Sequence, residues 1–107
     1  MTRQETQALD LLNSNIRKSK VVACYSNFET DFDERELAKF DELADSTSWL
    51  AGGHENRDYL NLCYKQVRDD LFEVFITSRG NICTVYRLGI FSREALDELY
   101  MAWCLKH

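Results

Sequence analysis

Apolar residues recur along this chain in two periods, and the places where the period changes divide it into elements. Ala8, Leu9, Leu12 and Ile16 fall at helical spacing behind Thr2-Arg3-Gln4-Glu5, a capping box in which hydroxyl and carboxylate each satisfy an orphan amide. Asn13, Ser14 and Asn15 weaken the helix, and Arg17, Lys18 and Lys20 follow where cations suit its negative end. Val21 to Tyr25 is rich in β-branched and aromatic side chains and predicts a short strand.

A second helix is predicted from Asp33, with Glu36 as its capping partner and Leu37, Phe40, Leu43 and Ala44 as its buried stripe. Trp49 and Leu50 extend the pattern, and Gly52-Gly53 supply the usual stop. His54 to Asp58 read as a polar loop. From Tyr59 two periods compete. Leu60, Leu62 and Tyr64 share a strand face, whereas Leu60, Cys63, Tyr64 and Val67 fit a helix. Strand is preferred because a hairpin follows: Phe72, Val74 and Ile76 alternate with Glu73, Phe75 and Thr77, and Ile82, Thr84, Tyr86 and Leu88 resume after Gly80-Asn81. Gly89 ends that strand. Ser92 caps a final helix with Ala95, Leu96, Leu99, Tyr100 and Trp103 on its apolar face. The expected order is α-β-α-β-β-β-α. It describes an α+β domain in which a three-strand meander plus one short strand forms an antiparallel sheet, with helices packed on one side.

The 107 residues make one domain, since chains divide only beyond roughly 250. No uninterrupted apolar run approaches the ~20 residues of a membrane span, and no apolar region follows the first residues as in a secretory leader, so a cytoplasmic, membrane-free protein is expected. Cys24, Cys63, Cys83 and Cys104 never form a C-x-x-C pair. Zinc is therefore disfavoured, and reduced thiols buried in the core are expected.

Chemistry-bearing motifs are few. Asp31-Phe32-Asp33 opens like a calcium loop, but Arg35 occupies the fifth position and the glycine at the sixth is missing. No metal or cofactor is expected. His54, after two glycines and before Glu55, is a candidate general base for a small enzyme or accessory subunit, while His107 is expected to fray. The order helix, strands, helix resembles a double-stranded-RNA-binding domain. That module uses lysines near its last helix, where Ser92 to Glu98 is balanced to acidic, so the likeness is set aside.

Charge is the one uneven property. Between Glu29 and Asp45 stand eight acids (Glu29, Asp31, Asp33, Glu34, Glu36, Asp41, Glu42, Asp45) and two bases, whereas the remainder holds ten acids and eleven bases. On a helix Glu34, Asp41, Glu42 and Asp45 avoid the apolar stripe and face solvent. Such a face steers a cationic partner and repels phosphate. The leading expectation is a non-enzymatic protein whose Glu29, Asp31, Asp33, Glu34, Asp41, Glu42 and Asp45 bind a basic protein surface, for instance a nucleic-acid-binding cleft. In general character it resembles phage or mobile-element products that disarm host nucleases or defence complexes. An alternative is a nucleic-acid-binding regulator that uses Arg17, Lys18 and Lys20, joined by Arg79 or Arg87 across the sheet, with a homodimer formed through the C-terminal aromatics.

Overall fold

In the computed structural model, which describes all 107 residues, each long helix starts at a capping side chain. Helix α1 (Arg3–Lys18) opens on Thr2, whose hydroxyl accepts from the Glu5 N–H while the Glu5 carboxylate accepts from the Thr2 N–H. Helix α2 (Glu34–Asp45) opens on Asp33, whose carboxylate accepts from the Arg35 N–H. Glu36 makes no reciprocal bond, so this start is a simple cap. Helix α3 (Arg93–Lys106) opens on Ser92.

Five strands lie between and around these helices: β1 (Lys20–Ser26), β2 (Ser48–Glu55), β3 (Asp58–Arg68), β4 (Leu71–Arg79) and β5 (Ile82–Ser92). They form one sheet in the order β1-β5-β4-β3-β2, antiparallel at every junction. The fold is α+β, and Tyr59 to Val67 is strand. The meander has four members rather than three, because Ser48–Glu55 is a strand and not the end of the second helix. Ser46 and Thr47 are the reason. Their hydroxyls donate back to the carbonyls of Leu43 and Ala44, closing α2 at Asp45 before Trp49 can join it. His54 and Glu55 then pair with Tyr59 and Asp58 across a two-residue turn in which Asn56 takes φ 57°, a conformation that asparagine tolerates.

The two glycines read as a helix stop are mid-strand. A Cβ at Gly53 would come within 3.0 Å of the His107 ring, so glycine there admits a close approach from α3. Gly89 likewise does not end its strand. It sits at φ 139° beside the register shift where Val74 pairs with Gly89 but Phe75 pairs with Arg87, as a bulge requires.

Helices cover both faces of the sheet, not one. On one face α1 and α3 lie side by side over Leu62, Phe72, Val74, Ile76 and Leu88, with Leu12, Leu99 and Trp103 fully buried between. The two helices run the same way: Gln4 lies near Asp97 at one end, and Lys106 Nζ donates to Asn13 Oδ1 at the other. On the opposite face α2 lies over β1 and β5, its Phe40 buried among Ala23, Cys63, Phe75, Cys83 and Val85. Double coverage explains why Val74 to Ser78 is buried without interruption. Alternation marks a strand with one wet face, and central β4 has none.

Phe40 is the only fully buried side chain of α2 and so its principal anchor. Phe40→Ala is expected to cost about 3–5 kcal/mol, measured by urea unfolding. The loss of helical signal should exceed that of a surface substitution such as Ala38→Gly.

Candidate functional site

All seven acids singled out from sequence are exposed, and none forms an ion pair; the one salt bridge of the molecule joins Arg87 to Glu73. They fall into two groups. Glu29 and Asp31 belong to a short 3-10 turn (Glu29–Asp31) between exposed Phe28 and Phe32, and Asp33 and Glu34 sit at the start of α2. Asp41, Glu42 and Asp45 occupy the second half of that helix. Spacing by three, four and seven puts Glu34, Asp41 and Asp45 on one flank, while Arg35 and Lys39 lie on the other beside Glu42.

The helix dipole separates these groups. Acids near an N-terminus stabilise a helix, which accounts for Asp33, Glu34 and Glu36. The last turn of α2 holds no basic residue, and Glu42 and Asp45 sit against its negative end. Helix stability therefore gives no reason for them.

Beside that turn lies a part of the sheet that sequence reading missed. Directly opposed residues of an antiparallel pair share a face, so Trp49 (opposite Cys63), Tyr59 (opposite Arg79) and His54 (opposite Tyr59) all stand on the face that α2 covers. The helix does not reach them. Trp49 is 66% exposed and Tyr59 59%. The indole is nevertheless held: its Nε1–H donates to Asn61 Oδ1 at 2.9 Å, and the ring lies over Gly52, where a Cβ would meet it at 3.6 Å. The rings of His54 and Tyr59 meet edge to face at 4.3 Å. Between this patch and α2 runs a depression of about 150 Å³ lined by Ala44, Thr47, Trp49, Asn61, Cys63, Thr77 and Arg79. Arg79 closes one end, its guanidinium over the Phe40 ring at 4.8 Å.

The other sequence candidates are scattered. Arg17, Lys18 and Lys20 are exposed; Arg87 stands directly opposite Lys20 across the β1–β5 pair, its guanidinium paired with Glu73, whereas Arg79 lies over Phe40 under α2 and does not join them. His54 is exposed and makes no hydrogen bond to a hydroxyl or thiol. Burial pushes the Cys63 thiol up despite bonds with Thr47 and Thr77, which leaves it a poor nucleophile near neutral pH. All four cysteines are free, yet only Cys63 and Cys83 lie in the core; Cys24 and Cys104 are exposed. His107 is not frayed: its N–H donates to the Trp103 carbonyl and its ring lies 4.4 Å from the Trp103 ring. Of the C-terminal aromatics Trp103 is buried, whereas Tyr100 is exposed.

A larger depression of about 420 Å³ opens on the opposite face, where α1 and α3 end. Glu55, Asp58, Lys106 and His107 give it mixed charge, and no set of three or more metal-ligating side chains gathers anywhere in the molecule. No helix is long and apolar enough to cross a membrane. No protein-family model, curated protein or solved structure matches the chain.

Two predictions follow from local geometry. Glu42→Gln with Asp45→Asn should stabilise the protein by about 0.3–1 kcal/mol per site, raising Tm by several degrees in a thermal melt; unchanged Tm would mean the dipole argument is wrong. The second concerns Tyr25, opposite Cys83 on the α2 side. A hydrogen bond to the Cys83 sulfur, with burial second, pushes its phenol up to about 12. The unfolded phenol releases its proton near ~10. Native protein thus binds more protons than unfolded between these values, and this contribution to stability, complete below pH ~10, is lost as pH rises toward 12. Tyr25→Phe should flatten that part of the stability profile.

Proposed function

We propose that this protein acts by binding a basic protein surface through the face built from the 29–45 segment and the neighbouring corner of β2 and β3. One observation carries the reading: Glu42 and Asp45 stand without an ion pair in the last turn of a helix that their charge destabilises, with Asp41 just before them, beside an aromatic patch that α2 leaves uncovered. Negative potential supplies steering, and fixed aromatic side chains supply desolvated contact area, the combination found where a few residues dominate binding energy. A nucleic-acid-binding cleft is a fitting target, because carboxylates presented on a firm scaffold replace phosphates. Occupying such a cleft makes the protein a competitive inhibitor of nucleic-acid binding, with no catalysis of its own.

The experiment compares charge position at constant net charge. Wild-type protein should be retained on immobilised protamine at low salt, elute as ionic strength rises, and fail to bind a DNA column. Asp41→Lys with Glu42→Lys and Asp45→Lys should abolish retention. Reversal of three exposed acids elsewhere, Asp69, Asp70 and Asp97, should leave most of it. Equal loss from both triple variants would show attraction by net charge alone and overturn the proposal.

A further inference from the structure

We propose that the depression at the ends of α1 and α3 binds a free amino acid with an apolar side chain, its ammonium group on Glu55 and Asp58 and its carboxylate on Lys106. The site lies on the face of the sheet opposite the docking face and stands independently of that reading.

The depression arises where helix cover stops and the sheet continues. At the end of α3 the His107 ring lies over Gly53, 3.0 Å from where a Cβ would stand, while β2 runs on to Glu55 and β3 begins at Asp58. Alternate residues of a strand share a face. Leu60, Ile76 and Ser78 therefore stand together on the side of α1 and α3, and with Tyr86 they line a space of about 420 Å³ closed on one side by Ile16 and Ser19 of the α1 end. An apolar floor with a few convergent polar groups, at this volume, is the usual form of a small-molecule site.

The polar groups commit the guest. Glu55 and Asp58 are directly opposed across the β2–β3 pair, an arrangement in which like charges repel, and neither forms an ion pair. The Asp58 carboxylate is closely packed: it lies against Gly80, where any Cβ would collide with it. Lys106 lines the same space, its Nζ donating to Asn13 Oδ1 at 3.2 Å, and it closes on neither acid. Carboxylates and an ammonium thus face one cavity without meeting. A guest of single charge is attracted at one end and repelled at the other, whereas a zwitterion satisfies both. A metal ion would need a third ligating side chain, which does not gather here.

Ser78 is the independent sign. Only 9% of the residue is exposed, and its hydroxyl bonds to no other protein group. No buried side-chain oxygen in the molecule is both unbonded and sealed from solvent, so the free hydroxyl opens into the cavity that Ser78 lines. A hydroxyl held at the floor among Leu60, Ile76 and Tyr86 has a hydrogen bond to gain from the charged head of a guest, whose apolar side chain covers those three residues.

The test uses three ligands with one ring: phenylalanine carries both charges, phenylethylamine only the ammonium and phenylpropionate only the carboxylate. Each is titrated into nitrogen-15-labelled protein. Phenylalanine should shift the amides of Leu60, Ser78 and Lys106 and the indole N–H of Trp103, whose ring lies 4.4 Å from that of His107, while the indole N–H of Trp49 on the other face stays in place. It should bind at least about tenfold more tightly than either analogue, as expected for one charge-assisted hydrogen bond. Lys106→Met should lower its affinity to that of phenylethylamine, and Glu55→Gln with Asp58→Asn to that of phenylpropionate. Ser78→Ala should weaken it several-fold. The dispersion of the amide spectrum reports that each variant is folded. Equal affinity of wild-type protein for phenylalanine and phenylethylamine overturns the zwitterion assignment. Shifts confined to α2 and Trp49, or none near the solubility limit of phenylalanine, overturn the site.

Discussion

Everything in this fold turns on a central strand that must be dry on both sides. Val74 to Ser78 is buried without a break, so apolar cover is needed above and below the sheet. Five strands at about 4.8 Å spacing present a sheet some 24 Å wide, against a helix diameter of about 10–12 Å with side chains. Two parallel helices, α1 and α3, nearly fill one face. The other receives only α2, seated over β1 and β5 by Phe40. The shortfall falls at β2 and β3, where Trp49 and Tyr59 remain in water. The exposed patch is thus the geometric residue of covering a five-stranded sheet with three helices.

Position of charge adds what coverage cannot. Acids before and in the first turn of α2 have a structural explanation, since they oppose unsatisfied N–H groups; the Asp33 carboxylate accepts one such bond. Acids in its last turn face carbonyls of which Ser46 and Thr47 satisfy two, and that turn carries no lysine or arginine and forms no ion pair. The same turn forms a wall of the depression that Trp49 completes. Two features that each raise the free energy of the isolated protein therefore meet at one place: a large aromatic side chain in water and carboxylates at a negative helix end. A partner that supplies cations and excludes water relieves both.

The helix caps, the 80–81 hairpin, the strand character of β3 and the acidic segment were legible because each depends on neighbours in sequence. Thr2 needs only Glu5, and Ser92 only Ala95. Ser48–Glu55 was not legible. Trp49 and Leu50 continue an apolar pattern, and a glycine pair after it looks like a C-cap, but hydroxyls at 46 and 47 end the helix and the glycines serve rings brought in from Trp49 and His107. Helices on both faces are not legible, because Phe75 alternates with Val74 and Ile76 as an outward position of a one-sided strand would, and nothing local shows which helix covers it. The acids were visible one by one, yet their neighbour was not: Trp49, His54 and Tyr59 converge only through the register of β2 with β3. A two-residue turn at Asn56-Arg57 was the available signal, since recognising it aligns His54 with Tyr59.

Anchoring by a single buried phenylalanine has a consequence for how such a face would work. Local opening draws on elements with few buried contacts, and α2 fits that description better than α1 or α3, which share Leu12, Leu99, Ala102 and Trp103. On the binding reading proposed above, a cationic partner docked on the end of α2 and the β2–β3 corner would contact both the less anchored element and the sheet. Such binding would add its free energy to the packing of α2 on the sheet, because a ligand shifts an equilibrium by its differential affinity for the two states. Carboxylates that weaken the free helix would, in the proposed complex, be part of what holds it down.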